Sequence, residues 1–236
     1  MTGVAILSGT AGTAGDAFAG RLADEGFDLA VLGPSPQAGT AAVERARRSG
    51  RRAQTVTVRM REAGSVQQAV DHVDQHLGPP AVLLHVVEAT LSDPLCEVQD
   101  WDEYVGGLLR EAFLISRAVL DPMIRQGRGR IVTVADVLGR PGRSENAAVR
   151  TGLEGFTRTL ALEADPFGIT ANLVVAGPGI GAQAAAEILP PVPGPPSPGG
   201  RAEMSAELAA IVGFLAGDAA AHVSGQVIHV AATAGH

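Results

Sequence analysis

A run of small residues, Ser8-Gly9-Thr10-Ala11-Gly12-Thr13-Ala14-Gly15-Asp16, follows a short apolar stretch near the start of the chain. Glycines at such a place let the backbone close on a dinucleotide pyrophosphate, and a helix start just beyond supplies N–H groups and a partial positive charge. Elsewhere the chemical inventory is defined by what it lacks. All 18 basic residues are arginine, the only tyrosine is Tyr104 and the only cysteine is Cys96. A proton-transferring pair of tyrosine and lysine has Tyr104 to draw on and no lysine at all. One cysteine makes no internal disulfide and no multi-cysteine metal site, so no metal is expected.

The elements that must position these residues are legible from periodicity. Runs rich in Val, Ile and Leu at 4–8, 27–32, 54–58, 81–87, 130–135, 170–175 and 226–230 read as strands. Between them, 16–25, 40–49, 65–77, 100–126, 145–164 and 205–216 carry apolar residues at helical spacing. Several strands are apolar along most of their length, as parallel strands covered on both faces are. Strict alternation with short connections implies a Rossmann-like α/β fold: one doubly wound parallel sheet of seven strands with helices on both faces, spanning 1–236 as a single domain. The segment 189–200, LPPVPGPPSPGG, holds six prolines and reads as a stiff extended loop, with a ligand for a proline-binding domain as the alternative.

Bulk properties exclude several classes. With 46% hydrophobic and 18% charged residues over 236 positions, a sizeable core is available and global disorder is excluded. A net charge of −7 argues against a nucleic-acid or anionic-membrane partner. No apolar run approaches the roughly 20 residues of a bilayer span. Met1 leads straight into the first strand, so no signal peptide and a cytoplasmic location are expected.

With the order of elements in place, the chain resembles a short-chain dehydrogenase/reductase, in pattern a 3-oxoacyl-(acyl carrier protein) reductase. The resemblance rests on Gly129-Arg130-Ile131-Val132, Gly152-Leu153-Glu154-Gly155-Phe156-Thr157, Leu160-Ala161-Leu162-Glu163, Gly168-Ile169-Thr170-Ala171-Asn172, Phe214-Leu215-Ala216 and Ser224-Gly225-Gln226-Val227. It implies a cofactor loop at Ser8, Gly9, Gly12, Thr13 and Gly15. Ser8, Gly9 and Gly15 match the family pattern, Thr13 replaces its middle glycine, and Gly12 lies one place early. Asp16 either caps the first helix or obstructs the anion site. The position that reads the adenosine ribose falls in Gly33-Pro34-Ser35-Pro36, the adenine-facing aspartate becomes Arg59, and the family's Asn-Asn-Ala-Gly becomes His85-Val86-Val87-Glu88. The nicotinamide-side Pro-Gly is shifted within Ala176-Gly177-Pro178-Gly179, and the proline-rich loop falls where the family has a substrate lid.

The same resemblance assigns the catalytic positions. Spacing from Gly139 gives Asp136 for the family's serine. Spacing from Gly152 gives Asn146 for its tyrosine and Arg150 for its lysine. Leu108 stands for the asparagine of the fourth helix, and Tyr104 reads as a packing residue at that helix's start. Asn146 has no dissociable proton near neutral pH, and arginine does not deprotonate. Asp136 and Arg150 then either fill a vacated site as an inward ion pair or work as general acid or base and oxyanion clamp, joined by His85 and Glu88. Three functions follow in order: a homologue without Ser-Tyr-Lys hydride transfer or productive NAD(P)H binding, acting as a subunit or partner of an active reductase; a non-redox dehydratase, cyclase or isomerase on an acyl or polyketide-like ligand; and an NADPH-dependent ketoreductase with atypical residues. No cofactor is expected except NADP(H) in the third case. The resemblance also implies a homodimer, a tetramer or a heteromer, with one interface on the fourth and fifth helices, including Gly152, Gly155 and Phe156, and a second at the C-terminal strand region. The arginines at 45, 47, 48, 51 and 52 are expected to be solvated and to complement a helix end.

Overall fold

Strands β2 (Phe27–Gly33) and β6 (Ile169–Ala176) are buried at every residue, which is why their sequences read as continuous apolar runs. The computed structural model describes residues 3–9, 13–88, 101–136, 144–176 and 200–230. With β1 (Gly3–Ser8), β3 (Ala53–Thr57), β4 (Pro80–Glu88), β5 (Gly129–Asp136) and β7 (Val227–Val230), they form one parallel sheet in the order β3-β2-β1-β4-β5-β6-β7. The chain winds outward from β1 to β3 and returns to lay β4 beside β1. That reversal opens a crevice at the carboxyl ends of β1 and β4, the place where doubly wound sheets bind ligands.

Helices cover both faces. On one side α1 (Thr13–Asp24), α2 (Thr40–Arg48) and α6 (Gly200–Ala216) bury Phe18, Leu22, Val43, Val212 and Leu215 against Leu7, Leu29, Leu84 and Val132. On the other, α3 (Ala63–His76), α4 (Gly107–Gln126) and α5 (Ser144–Ala164) bury Val70, Val73, Ile115, Met123 and Leu160 against Ile6, Leu83 and Ile131. Each large side chain buried this completely contributes about 1.5–3 kcal/mol to folding.

The single helix expected over 100–126 is instead π-helical at Asp102–Gly106 and α-helical from Gly107. Arg61 fastens this junction, bonding Glu111 of α4 at 2.8 Å and Glu103 of the π-turn at 3.2 Å. Its guanidinium lies over Gly107, where a Cβ would stand 2.6 Å from Cζ, so a larger residue at 107 would displace it.

The arginine cluster meets its expectation only in part: Arg45, Arg47 and Arg48 do lie in the last turn of α2, but the cluster also makes specific contacts. Arg51 and Arg52 both pair with Asp28 of β2, at 3.1 and 2.7 Å, and Arg47 donates twice to the Ala53 carbonyl. They fasten the α2–β3 connection to the sheet, and Asp28 is held below the usual carboxylate range: burial alone would raise it, but bonds and charges from Arg52 and Arg51 outweigh that. Asp16 lies within the first turn of α1, which starts at Thr13, and is therefore not its cap. Cys96, Gly12, residues 189–199 of the expected loop and the segment 177–179 lie outside the described residues, while Gly200, expected in that loop, begins α6.

Candidate functional site

The first turn after β1 is set by Gly9. Its φ of +77° belongs to the left-handed region, and a Cβ there would lie 1.9 Å from the Val86 carbonyl oxygen. Only glycine lets this turn lie directly on β4. That closeness fits the first part of a dinucleotide cradle. The adenosine end fits less well. A Cβ on Gly33 would stand 2.5 Å from the Ala38 Cβ, so no side chain at that position can reach a ribose. Arg59 is turned to Glu62 at 2.7 Å. Gly15 is buried in α1, and the side chain of Thr13 lies outside the described residues.

A polar row crosses the sheet beneath this turn. Register aligns Ser8 of β1 with His85 of β4, and His85 with Thr133 of β5, between Leu32 on one side and Leu173 on the other. All three polar side chains are buried. Ser8 Oγ and His85 Nδ1 are 3.0 Å apart, while the buried Nε2 of His85 has no partner among the described residues. Burial pushes the imidazole down to about 4, so it is neutral near pH 7. His85 therefore ties β1 to β4 at the switch point.

His85 and Glu88, proposed from sequence as one group, are three residues apart on a strand and point to opposite faces of the sheet. Glu88 is instead in register with Asp136, at the ends of β4 and β5. The Asp136 side chain is outside the described residues. Arg150 on α5 bonds Glu154 one turn along the same helix at 3.2 Å, with both side chains mostly buried.

Sequence reasoning missed one contact. Tyr104, expected to serve packing alone, donates its hydroxyl to Asn146 Oδ1 at 2.7 Å. Both residues are buried. Tyr104 comes from the π-turn and Asn146 from the first turns of α5, so the bond joins the two helices across the carboxyl ends of the strands. Its surroundings are Val87, Ala135 and Val175 from the sheet and Val149 and Leu153 from α5. Just beyond, Gly152 lets α5 approach α4 closely, since a Cβ there would lie 2.9 Å from Leu109. No spacing along the chain marks this contact, because its partners are 42 residues apart in sequence. Among the described residues no cluster of three metal-ligating side chains exists, and no helix is long and apolar enough to cross a membrane.

Comparison with known proteins fits this architecture. The family description "short chain dehydrogenase" matches residues 3–189. The 3-oxoacyl-[acyl-carrier-protein] reductase FabG of Pseudomonas aeruginosa is 30% identical, over 96% of this chain and 95% of its own. The (2S)-[(R)-hydroxy(phenyl)methyl]succinyl-CoA dehydrogenase subunit BbsC of Thauera aromatica is 34% identical, over 96% and 92%. Among solved structures, an actinorhodin polyketide ketoreductase with NADPH superposes with a TM-score of 0.80 at 25% identity, covering 98% of this chain and 96% of that one. The chain belongs to the short-chain dehydrogenase family.

Proposed function

We propose that this chain has given up the family's lysine-assisted hydride transfer and serves as a subunit, assembled with itself or with a reductase of the same family, in the cytoplasm. The bond from Tyr104 to Asn146 carries the reading. The position that the resemblance gives to the family's tyrosine holds an amide, and that amide already accepts a phenol. One turn on, where the family has lysine, Arg150 is committed to Glu154. Lysine serves the family by drawing down the tyrosine proton, and a guanidinium bound along its own helix supplies no such movable proton. The adenosine end, with no side chain at Gly33 and with Arg59 at the adenine-facing position turned to Glu62, supports weak nucleotide binding.

The subunit role draws on two observations. One relative of comparable length is named a dehydrogenase subunit. The outer side of α4 and α5 also presents an apolar pair, Phe113 and Phe156, edge to face with centroids 6.4 Å apart, and Phe113 is 52% exposed. A phenylalanine this open on a helix of a folded protein suits a protein contact, and the occupant proposed is a second short-chain dehydrogenase chain. The purified protein tests the reading: mixed with NADPH and β-ketoacyl thioesters it leaves the coenzyme absorbance unchanged, and light scattering gives at least a dimer. Steady coenzyme consumption overturns the first half and restores the atypical ketoreductase. A monomer that recovers no reductase of its family from host lysate overturns the second.

A second reading has its own observation. The register of Glu88 with Asp136 sets two carboxyl residues side by side at adjacent strand ends, an arrangement suited to general acid–base work without hydride transfer. Under that reading Asp136→Ala abolishes turnover of an acyl or polyketide-like substrate, and an unchanged rate ends it.

A further inference from the structure

We propose that His72 and His76 of α3 form a chelating site for one transition-metal dication of the Zn²⁺, Ni²⁺ and Cu²⁺ kind, completed by water. The site stands apart from the reading above. Helix α3 ends at His76 and β4 begins at Pro80, so the pair lies toward the amino end of β4, away from the crevice at its carboxyl end.

Three observations converge on it. The two histidines are four residues apart on a helix, a spacing that sets side chains one above the other on a single face. Both are exposed, while Val66, Val70 and Val73 of the same helix are buried against the sheet. Their rings already lie together, stacked with centroids 4.0 Å apart and planes 24° from parallel. Finally, His76 Nδ1 is 2.8 Å from the carbonyl oxygen of His72. A carbonyl only accepts, so Nδ1 carries the hydrogen and the neutral ring keeps its lone pair on Nε2. Metal-bound histidines are held in this way, with the second ring nitrogen donating to a carbonyl or carboxylate.

The stack is the resting arrangement, not the chelate. Each lone pair lies in the plane of its ring, so in a stack the two run side by side. His76 is held by its bond to the backbone, and a turn of the exposed His72 ring about its side-chain bonds brings the second nitrogen to the ion, about 2.0–2.1 Å from each.

Chemistry narrows the ion. Imidazole suits zinc, nickel and copper, whereas magnesium and calcium call for oxygen ligands. The neighbouring carboxylates are engaged: Asp71 accepts from Gln67 at 2.9 Å, and Asp74 pairs with Arg125 of α4 at 2.6 Å. Among the described residues no group of three His, Cys, Asp or Glu could hold an ion, so two nitrogens and water make up the site and the ion exchanges freely. His76 lies in the last turn of α3, where the partial negative charge of the helix end favours a cation. The single cysteine that argued against a metal has no bearing on a pair of imidazoles.

The test is calorimetric titration of the intact, metal-free protein with Zn²⁺, Ni²⁺ or Cu²⁺ salts alone. Each ion binds saturably, Cu²⁺ most tightly, and Ca²⁺ does not. His72→Ala and His76→Ala each weaken binding about tenfold or more. The decisive variant keeps the number of histidines: His72→Gln with Gln75→His sets the imidazoles on neighbouring positions, which do not face each other on a helix, and it weakens binding as much. Circular dichroism shows that the variants are folded. With one equivalent of Cu²⁺, electron paramagnetic resonance shows two imidazole nitrogens on the metal in the wild type and one in each single variant. The proposal is overturned by no saturable binding up to millimolar ion, by unchanged binding in the exchanged variant, or by a single nitrogen in the wild type. Calcium bound as tightly as zinc would assign the ion to carboxylates and overturn it too. Coenzyme consumption is not read in these measurements, so the loss of hydride transfer stands or falls separately.

Discussion

The hydroxyl of Tyr104 donates to Oδ1 of Asn146 across 2.7 Å, joining the π-turn before α4 to the start of α5. Both side chains are buried, so the bond is made where water does not compete well for either partner. A buried neutral hydrogen bond contributes about 1 kcal/mol, and stranding one partner costs roughly 1–3 kcal/mol. Tyr104→Phe and Asn146→Leu each lower the unfolding free energy in that range in urea titrations. The double variant loses less than the sum, with a coupling of about 1 kcal/mol. Additive losses would mean that the two side chains do not interact in solution.

His85 makes stability depend on pH in a defined window. Its folded imidazole titrates near 4 because burial disfavours the charged ring, whereas the unfolded chain takes up the proton near 6.5. Below about 6.5 the unfolded state therefore binds a proton that the folded state refuses. Stability from this residue is full above that pH, falls as pH drops toward 4, and falls no further below it. The total is on the order of 3 kcal/mol. His85→Gln flattens this part of the unfolding curve between pH 6.5 and 4. An equally steep curve in the variant would assign the dependence to other groups.

How much of this was legible beforehand varies with the kind of interaction. The strands were readable because β2 and β6 are buried at every residue, and burial on both faces leaves no choice but a run of Val, Leu, Ile and Ala. Gly152 was expected at an interface between chains, whereas its contact within the chain, α5 closing on Leu109 of α4, was not read beforehand. The π-turn was not readable: a shift of the helical hydrogen bonds by one residue leaves no mark in composition. Nor was the Tyr104–Asn146 contact, whose partners are 42 residues apart in sequence. The period of two along β4 already separated His85 from Glu88, and the proposed grouping of the two ignored it.

Gly9 gives the sharpest steric test. A Cβ at 1.9 Å from the Val86 carbonyl oxygen has no room, and its φ of +77° strains any other L-residue. The obstacle is backbone on a central strand, which cannot swing away like a side chain. Gly9→Ala lowers stability by about 2 kcal/mol or more, measured by thermal or urea unfolding. Gly50 provides the control. Its φ is +76°, but nothing lies within 4 Å of the place a methyl group would occupy, so Gly50→Ala meets only the backbone strain of about 1–2 kcal/mol. Equal losses at the two sites would remove the contact with Val86 from the account.

Assembly rests on a different feature of the same helices. Phe113 is half exposed on α4 and meets Phe156 of α5 edge to face, while Gly155 beside it has open space around its Cα. An aromatic pair next to a gap suits the face of another helix pair, because small residues let backbones approach and the rings fill the space between. Phe113→Glu places a charge where the proposed contact is apolar, and burying that charge without a partner is unfavourable by far more than the exposed ring gains in water. Light scattering then gives a smaller particle than the wild type, with the circular dichroism spectrum unchanged because the ring contributes little to the fold of the isolated chain. A particle of unchanged size would move the assembly surface away from α4 and α5, leaving exposed Phe214 on α6 as the next residue to substitute.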